Sequence, residues 1–276
     1  MKITICGVRG SIPTSGPQTI YFGGNTSCIE ISKDNCRLVL DAGSGIQHLP
    51  ENNFGNKRID ILLTHLHLDH IQGLGFFKPL FDPAMEVHIW GPASSTQTLR
   101  SRLARYFSPP LFPVHFRDLP CTLTLHETEN SSFHLGPFSI QSAFVIHAGP
   151  TVGYRISDDE KVFAYIPDHE PALGRSGMIK DARWISGGSL AYNADLLLHD
   201  AQYTAEEYKR RQGWGHSSLE DAAQFAWVTK VKHLLFSHYD PAHDDNQLRE
   251  IFRCFEEKCD YSFKHDLAVE GMIIEL

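Results

Sequence analysis

Short apolar runs rich in β-branched residues recur along the chain, and each is bounded by Gly, Pro, Asn or Asp. Runs of this length closed by turn-forming residues predict strands. A first series comprises KITICGV, SCIEIS, RLVLDAG, RIDILLTH and EVHIWG, and a second comprises CTLTLHET, FSIQSAFVIH, TVGYRIS, VFAYIPD, ADLLLHD and VKHLLFSH. The tail LAVEGMIIEL is predicted to form one final strand.

Helices are predicted between and after these runs. Leu99, Leu103 and Phe107 share one helical face, which predicts a helix over about residues 95–107. Three further helices are predicted, at about Ala205–Gln212, Leu219–Val228 and Gln247–Phe255. The proline-rich stretch Pro109–Pro120 predicts an irregular loop. Because no stretch has the composition of a linker, the pattern indicates one α/β domain spanning residues 1–276.

The two series of strands echo each other. DILLTHLHLDH in the first series and HLLFSHYDPAHDD in the second both place histidine and an acidic residue just past an apolar run. This similarity favours a duplicated half, with a site where the halves meet.

Composition and charge exclude several classes of protein. The 276 residues include 25 Lys+Arg against 33 Asp+Glu, so the net charge of −8 does not favour binding to nucleic acid or an anionic membrane. No apolar stretch is long enough to span a bilayer, and the amino terminus lacks a signal-peptide pattern. The 6 cysteines contain no CxxC pair, which favours reduced thiols and a cytoplasmic location. The count of 16 histidines is a first indication of metal.

The densest group of histidines lies in LLTHLHLDHIQGL, residues 62–74. If the preceding strand continues through this motif, His65 and His67 point to the same side and share one ion. A turn after Leu68 would then direct Asp69 and His70 toward a second ion. Imidazole and carboxylate together suit Zn²⁺, Mn²⁺ or Fe. The motif therefore predicts a site for two divalent metal ions.

Two ions need more ligands than this motif offers, and the ends of later strands supply candidates. His147, Asp168, Asp200 and His238 each follow an apolar run directly. Taken singly, each is typical of an ordinary turn or cap residue. Together with the opening motif, they favour one shared metal site.

The sequence resembles the metallo-β-lactamase fold superfamily in LVLDAGSG, THLHLDH, HAGP, YIPDHE and FSHYD, which follow the family's order from Asp41 to His238. The resemblance implies a four-layer αββα sandwich with a binuclear metal site at one edge. It also implies a role for each matching residue: His65, His67 and His147 would hold one ion, Asp69, His70 and His238 the other, Asp168 would bridge them, and Asp41 and Asp200 would support the ligands through hydrogen bonds.

Within that superfamily, the chain is similar to the phosphodiesterase branch that includes tRNase Z. The similarity lies in LLLHDAQYTAEEY and GWGHSSLEDAAQFAW, and in the amino-terminal GVRGSIP and YFGGNTSCIEI. YIPDHE departs from the Gly-Asp-Thr form common in tRNase Z, so His169 and Glu170 are further candidates beside Asp168.

The segment GHSSLEDAAQFAW predicts a helix start that faces phosphate. Ser217 and Glu220 have the spacing of a capping box, with Ser217 capping a helix that begins at Ser218. A capped helix start can receive an anion. His216 is predicted to contact the substrate and to help the leaving oxygen, while Asp69 is predicted to accept the proton of the attacking water.

These observations predict a metal-dependent hydrolase that cleaves a phosphodiester, with a small or cyclic nucleotide favoured as substrate. Alternatives are a nuclease like the tRNA 3′-processing endoribonuclease, a lactone or thioester hydrolase of the same fold, and a metal-dependent sensor without turnover. A long nucleic acid is disfavoured by the net charge, and the arginines of the first helix are interpreted as a solvated face: Arg100, Arg102 and Arg105. Candidates for stacking on a base are Phe112, Tyr154, Tyr203 and Trp214. Enzymes of this branch are often homodimers, so a dimer is one expected state.

Overall fold

Two seven-stranded sheets form the centre of the structure, a computed structural model that describes residues 1–49, 57–173 and 180–276. The first sheet contains β1 (Lys2–Gly7), β2 (Cys28–Lys33), β3 (Cys36–Leu40), β4 (Arg58–Leu62), β5 (Glu86–Pro92), β6 (Thr122–Thr128) and β14 (Ile273–Glu275). The second contains β7 (Ser131–Leu135), β8 (Phe138–Phe144), β9 (Val152–Ser157), β10 (Val162–Ile166), β11 (Leu196–Asp200), β12 (His233–Ser237) and β13 (Lys264–Leu267).

The two sheets have the same succession of strand pairings. In the first, β14-β1-β2-β3 pair antiparallel and β3-β4-β5-β6 pair parallel. In the second, β7-β8-β9-β10 pair antiparallel and β10-β11-β12-β13 pair parallel. This repetition is what a duplicated half would produce. By position in the two sheets, β4 corresponds to β11. The two similar histidine motifs instead follow β4 and β12, so their similarity does not show which strands of the two halves correspond.

Helices lie on the outer faces of both sheets. They are α1 (Leu68–Ile71), α2 (Leu99–Tyr106), α3 (Gly188–Ala191), α4 (Ala205–Tyr208), α5 (Leu219–Val228) and α6 (Asp245–Glu256). Buried residues of α2 pack against the outer face of the first sheet, and those of α3 and α5 pack against the outer face of the second. From α6, Phe255 joins the cluster on the outer face of the second sheet, whereas Leu248 joins the core between the sheets. A third apolar cluster fills the space between the sheets. The predicted four-layer αββα sandwich is confirmed.

The apolar runs reflect strands that are buried on both faces. Leu38 and Leu40 belong to the core between the sheets, while Val39 packs outward under the helices. On β12, Leu235 points inward and Leu234 outward. Because side chains alternate along a strand, two buried faces require apolar residues at consecutive positions.

The helices differ from the prediction mainly at their ends. The helix predicted over residues 95–107 begins at Leu99, because the Thr98 side chain accepts a hydrogen bond from Ser101 N and caps it there. The helix predicted to reach Gln212 ends at Tyr208. The third is as predicted, and the fourth is extended to Asp245–Glu256 by a capping box at Asp244.

Some strands were predicted wrongly or missed. The tail LAVEGMIIEL does not form one strand: it turns at Gly271, whose φ is +86°, so that Leu267 ends β13 and Ile273 begins β14 in the other sheet. β7 was missed, since SSFHL carries only two apolar residues. The strand before the histidine motif ends at Leu62 rather than continuing through it.

Candidate metal centre

The histidine motif forms a loop and a short helix rather than an extended strand. β4 ends at Leu62, and α1 begins at Leu68 with His67 as its N-cap. The prediction that strand alternation brings His65 and His67 together was therefore wrong in its mechanism, although the two rings do lie 4.4 Å apart. The first turn of α1 brings Asp69 and His70 to the same edge of the sandwich.

Asp41, at the end of β3, holds this loop in place. Its carboxylate accepts hydrogen bonds from Thr64 N at 2.7 Å, from the Thr64 hydroxyl at 2.9 Å and from Tyr165 OH at 2.9 Å. The ring of His70 contacts it through Nδ1 at 2.8 Å. Thr64 Oγ1 lies 3.1 Å from His65 Nδ1. With the Nδ1 atoms of both rings engaged in this way, Nε2 of each ring is left to face the site.

Seven side chains converge there, and we call them the metal-site cluster: His65, His67, Asp69, His70, His147, Asp168 and His238. The first subsite contains His65, His67 and His147. There, His147 Nε2 lies 3.1 Å from His67 Nδ1. Asp168 Oδ2 lies 3.7 Å from both His65 Nε2 and His147 Nε2.

The second subsite contains Asp69, His70 and His238. Asp69 Oδ2 lies 3.4 Å from His70 Nε2 and 3.3 Å from His238 Nε2. Asp168 Oδ1 lies 3.0 Å from His70 Nε2 and 3.3 Å from His238 Nε2. The two oxygens of Asp168 therefore face different subsites.

This donor set fits divalent metal ions. Tetrahedral zinc with bonds of about 2.0–2.1 Å keeps its ligand atoms about 3.3 Å from one another, which is close to the distances in both subsites. His65 Nε2 and Asp168 Oδ1 are buried without a hydrogen-bond partner. Buried polar atoms are rarely left unpaired, and a cation bound in each subsite would satisfy one of these two atoms.

Electrostatics separate the two subsites. Burial lowers the pKa of His65, His67 and His147, which favours the neutral rings that metal binding requires. Burial also acts on His238, but Asp168 and Asp69 outweigh it and raise the pKa of His238 to about 9. The second subsite thus carries an excess of negative charge that a divalent cation would neutralise.

His216 lies beside the metal-site cluster and pairs with Asp200. Its Nδ1 is 2.7 Å from Asp200 Oδ2 and 3.8 Å from Asp168 Oδ2. Asp200 Oδ1 also accepts hydrogen bonds from Gln202 N and Ser217 N, at 3.0 and 3.1 Å. Asp200 therefore fixes the ring of His216 through Nδ1.

The capping prediction for Ser217 was wrong by one residue. Ser218 caps α5, and its side chain accepts a hydrogen bond from Asp221 N rather than pairing with Glu220. Ser217 is buried, and its hydroxyl donates to His169 O at 2.6 Å. The helix here starts one residue later than the capping-box spacing predicts, so the Ser217 hydroxyl bonds to His169 instead of capping the helix.

Neither His169 nor Glu170 joins the metal-site cluster. His169 Nδ1 lies 2.9 Å from His199 Nε2, and its ring packs against Phe225. The Glu170 carboxylate accepts hydrogen bonds from Tyr208, Gly213 and Gly215.

Two residues at the site were missed by the sequence reasoning. Ser11 N donates to Asp69 Oδ2 at 2.7 Å, and a Cβ added at Gly10 would lie 2.5 Å from His238 Nδ1. Both belong to GVRGSIP, which was used only as a mark of family resemblance. A glycine followed by a residue in the left-handed region (Ser11 φ is 63°) is a signal of close backbone approach.

Most of the predicted stacking aromatics are core residues. Tyr154 is 0%, Tyr203 2% and Phe112 8% exposed, so none of them offers a ring face to a ligand. Trp214, next to Gly215, is 62% exposed. Among the predicted solvated arginines, Arg102 departs from the expectation, since its guanidinium donates to Pro92 O.

The fold and its His/Asp cluster define the chain as a hydrolase of the metallo-β-lactamase fold. Residues 36–239 match the family described as Beta-lactamase superfamily domain, and the chain belongs to that family. No helix in the described parts of the chain is long and apolar enough to cross a membrane.

The most similar proteins include a curated relative and two solved structures. Ribonuclease Z of Prochlorococcus marinus subsp. pastoris is 26% identical to this chain over 284 aligned positions, which cover 87% of this chain and 88% of the relative. The metallo-beta-lactamase fold protein YhfI from Bacillus subtilis superposes with a TM-score of 0.71 at 18% identity, covering 99% of this chain and 98% of YhfI. The short form of human tRNase Z has a TM-score of 0.68 at 20% identity, covering 100% of this chain and 99% of that protein.

Proposed function

We propose that the chain is a phosphodiesterase that uses two divalent metal ions, Zn²⁺ or Mn²⁺ with Fe as a further option. The observation that carries the proposal is the arrangement of Asp168, whose Oδ1 lies beside His70 and His238 while Oδ2 lies nearer His65 and His147. One carboxylate between two sets of three ligands supports a site for two ions, with Asp168 among the residues that would hold each.

The residues around the ions divide the work of hydrolysis. Two bound ions would stabilise the charge of a phosphodiester and activate water near neutral pH. Asp69, held by Ser11 N, is our candidate for accepting the proton of the attacking water. His216 is our candidate for donating a proton to the leaving oxygen, because Asp200 holds its Nδ1 and directs Nε2 away from that carboxylate.

The substrate approaches from the side of His67 and His216. His67 is exposed and His216 is partly exposed, whereas His65, His70 and His238 are buried. We propose a small or cyclic nucleotide as substrate, because it needs one phosphate site and the net charge of −8 disfavours a long polyanion. The exposed indole of Trp214 is available to stack on a base.

A nuclease acting on RNA is the second candidate. It is favoured by the similarity to Ribonuclease Z and to tRNase Z. The two candidates differ in how activity depends on salt, since binding of a long polyanion weakens steeply as salt rises and binding of one phosphate weakens little.

The proposal is tested by assaying hydrolysis of several substrates: bis-p-nitrophenyl phosphate, cyclic nucleotides, a tRNA precursor, a lactone and a thioester. We expect phosphodiester hydrolysis in protein loaded with Zn²⁺ or Mn²⁺, with loss in His67→Ala and none in His134→Ala, a matched exposed histidine on β7. Preference for the tRNA precursor with a steep salt dependence would favour the nuclease. Hydrolysis of the lactone or thioester alone, or of no substrate, would overturn the proposal.

A further inference from the structure

Glu170 is a buried carboxylate two residues beyond Asp168, and it is 1% exposed. Its Oε1 accepts hydrogen bonds from Tyr208 OH at 2.9 Å and from Gly213 N at 2.8 Å, and its Oε2 accepts one from Gly215 N at 2.7 Å. Burial and the Glu170 carboxylate raise the pKa of Tyr208, so that hydroxyl keeps its proton and donates. One carboxylate thus fixes both ends of the stretch from Tyr208 to Gly215.

This stretch contacts the metal-site cluster through Gly215. Gly215 O lies 2.6 Å from His147 Nδ1. The contact is close: Gly215 has a φ of +89°, and an added Cβ would lie 2.4 Å from His147 Nδ1. Glu170 also reaches His147 from the other side, because its backbone N–H donates to Ile146 O at 2.9 Å. Glu170 therefore fixes both the residue before His147 and the acceptor for its ring.

The acceptor at Nδ1 decides what His147 can do with Nε2. A carbonyl oxygen only accepts, so Nδ1 must carry the hydrogen and the lone pair of a neutral ring must lie on Nε2. Nε2 lies 3.1 Å from His67 Nδ1 and 3.7 Å from Asp168 Oδ2, inside the first subsite. If Gly215 moved away, nothing in this arrangement would prevent the hydrogen from residing on Nε2.

We propose that Glu170 is a positioning residue that acts through Gly215 to keep His147 in the form with its hydrogen on Nδ1 and its lone pair toward the first subsite. The consequence for metal binding rests on the proposed function, whereas the position of the hydrogen does not.

Two measurements on Glu170→Gln test this role. Glutamine offers one acceptor oxygen and turns an NH₂ group toward a donor, so it cannot accept all three hydrogen bonds. The position of the hydrogen is measured by NMR on metal-free protein with ¹⁵N-labelled histidine, and the His147 signals are assigned by comparison with His147→Gln. We expect the neutral ring to carry its hydrogen on Nδ1 in the wild type. In Glu170→Gln, we expect a mixture of neutral rings, some with the hydrogen on Nδ1 and others with it on Nε2. Affinity for Zn²⁺ added alone should fall about 10–100-fold, as for other groups that orient a ligand.

Two control variants separate positioning from general loss of stability. Glu207→Gln removes another carboxylate at α4, which accepts hydrogen bonds from Thr204 and faces His243. This carboxylate has no contact with Gly215. Tyr208→Phe removes one donor to Glu170 but keeps both backbone donors. We expect both controls to retain the hydrogen on Nδ1 of His147 and the Zn²⁺ affinity of the wild type.

The outcomes distinguish this inference from the proposed function. A wild-type His147 with its hydrogen on Nε2 would overturn the inference even if Glu170→Gln failed to fold. So would a folded Glu170→Gln with unchanged hydrogen position and Zn²⁺ affinity. If the hydrogen lies on Nδ1 in the wild type and moves only in Glu170→Gln, but no ion binds, the role of Glu170 is supported and the metal-based function is ended.

Discussion

Two groups of histidines in this chain differ in what surrounds their ring nitrogens. One is the metal-site cluster. The second group contains two histidines with their partners on β5, β6 and β7, and we call it the sheet-edge stack: Glu86, His88, Trp90, His126 and Phe133. In the stack, His88 Nε2 lies 2.6 Å from Glu86 Oε1 and its Nδ1 lies 2.8 Å from His126 Nε2. The His126 ring lies parallel to Trp90 at 3.8 Å, and Trp90 lies parallel to Phe133 at 4.4 Å.

The difference teaches that histidine density alone does not indicate a metal. In the sheet-edge stack both nitrogens of His88 have partners, which are Glu86 and His126. In the metal-site cluster, His65 Nε2 faces the first subsite and Asp168 Oδ1 the second, and neither atom has a hydrogen-bond partner. Within the described residues, the groups able to hold an ion all belong to the metal-site cluster or include its neighbour His216. Converging lone pairs that lack partners therefore separate a ligand set from a structural one.

The largest contrast is expected between Asp168→Ala and His88→Ala. Asp168→Ala removes the carboxylate shared by both subsites, so we expect it to abolish ion binding. Losing the ions removes several kcal/mol of transition-state stabilisation, which should lower activity about 1,000-fold or more. His88→Ala should keep both ions and full activity. Elemental analysis of metal per chain and a phosphodiester assay measure the two effects. Ions retained in Asp168→Ala, or lost in His88→Ala, would contradict the comparison.

His216 tests a histidine that has Nδ1 paired with Asp200 and whose Nε2 we propose faces the substrate. In His216→Gln, kcat for a nucleotide should fall about 100–10,000-fold while the ion content stays constant. With p-nitrophenolate as the leaving group the loss should be much smaller, because a weakly basic leaving oxygen needs no proton. Equal losses on both substrates would rule out the proton-donor role and leave His216 a binding residue.

The sequence indicated the central parts of this comparison but not their geometry. Leu38, Leu40 and Leu235 lie in strands buried on both faces, so their apolar runs predicted the sheets. The strand ends also pointed to His147 and His238. The route by which His65 and His67 meet could not be predicted, because it depends on Thr64 being held by Asp41, which lies 23 positions earlier in the chain and outside the histidine motif. Likewise, the spacing of Ser217 and Glu220 could not show that the helix starts one residue later, since Ser218 offers an equivalent cap.

Asp41 and Asp60 sharpen the comparison as a matched pair of buried carboxylates. Asp41 contacts His70 Nδ1, whereas Asp60 accepts from Trp90 Nε1 at 3.0 Å in contact with the sheet-edge stack. Asp41→Asn should weaken Zn²⁺ affinity about 10–100-fold. Asp60→Asn should leave that affinity unchanged and lower the free energy of unfolding by about 1.5–3 kcal/mol. Zinc titration and urea unfolding measure the two effects, and a reversed pattern would assign Asp60 to the site instead.

The smallest effect is expected from pH acting on the sheet-edge stack. Burial, together with the neighbouring ring of His88, lowers the pKa of His126 from its ordinary value of 6.5. The unfolded chain therefore binds a proton at His126 more readily than the folded chain, so this residue's contribution to stability is present above pH 6.5 and is lost as the pH falls below it. His126→Phe keeps an aromatic ring over Trp90 but removes the hydrogen bond to His88, which should cost about 1 kcal/mol at pH 7.5. Because the variant cannot take up that proton, the gap in unfolding free energy between it and the wild type should narrow between pH 7.5 and pH 5.5. A gap that widens over this range would mean that the stack stabilises a charged His126, and its histidines would then respond to charge as those of the second metal subsite do.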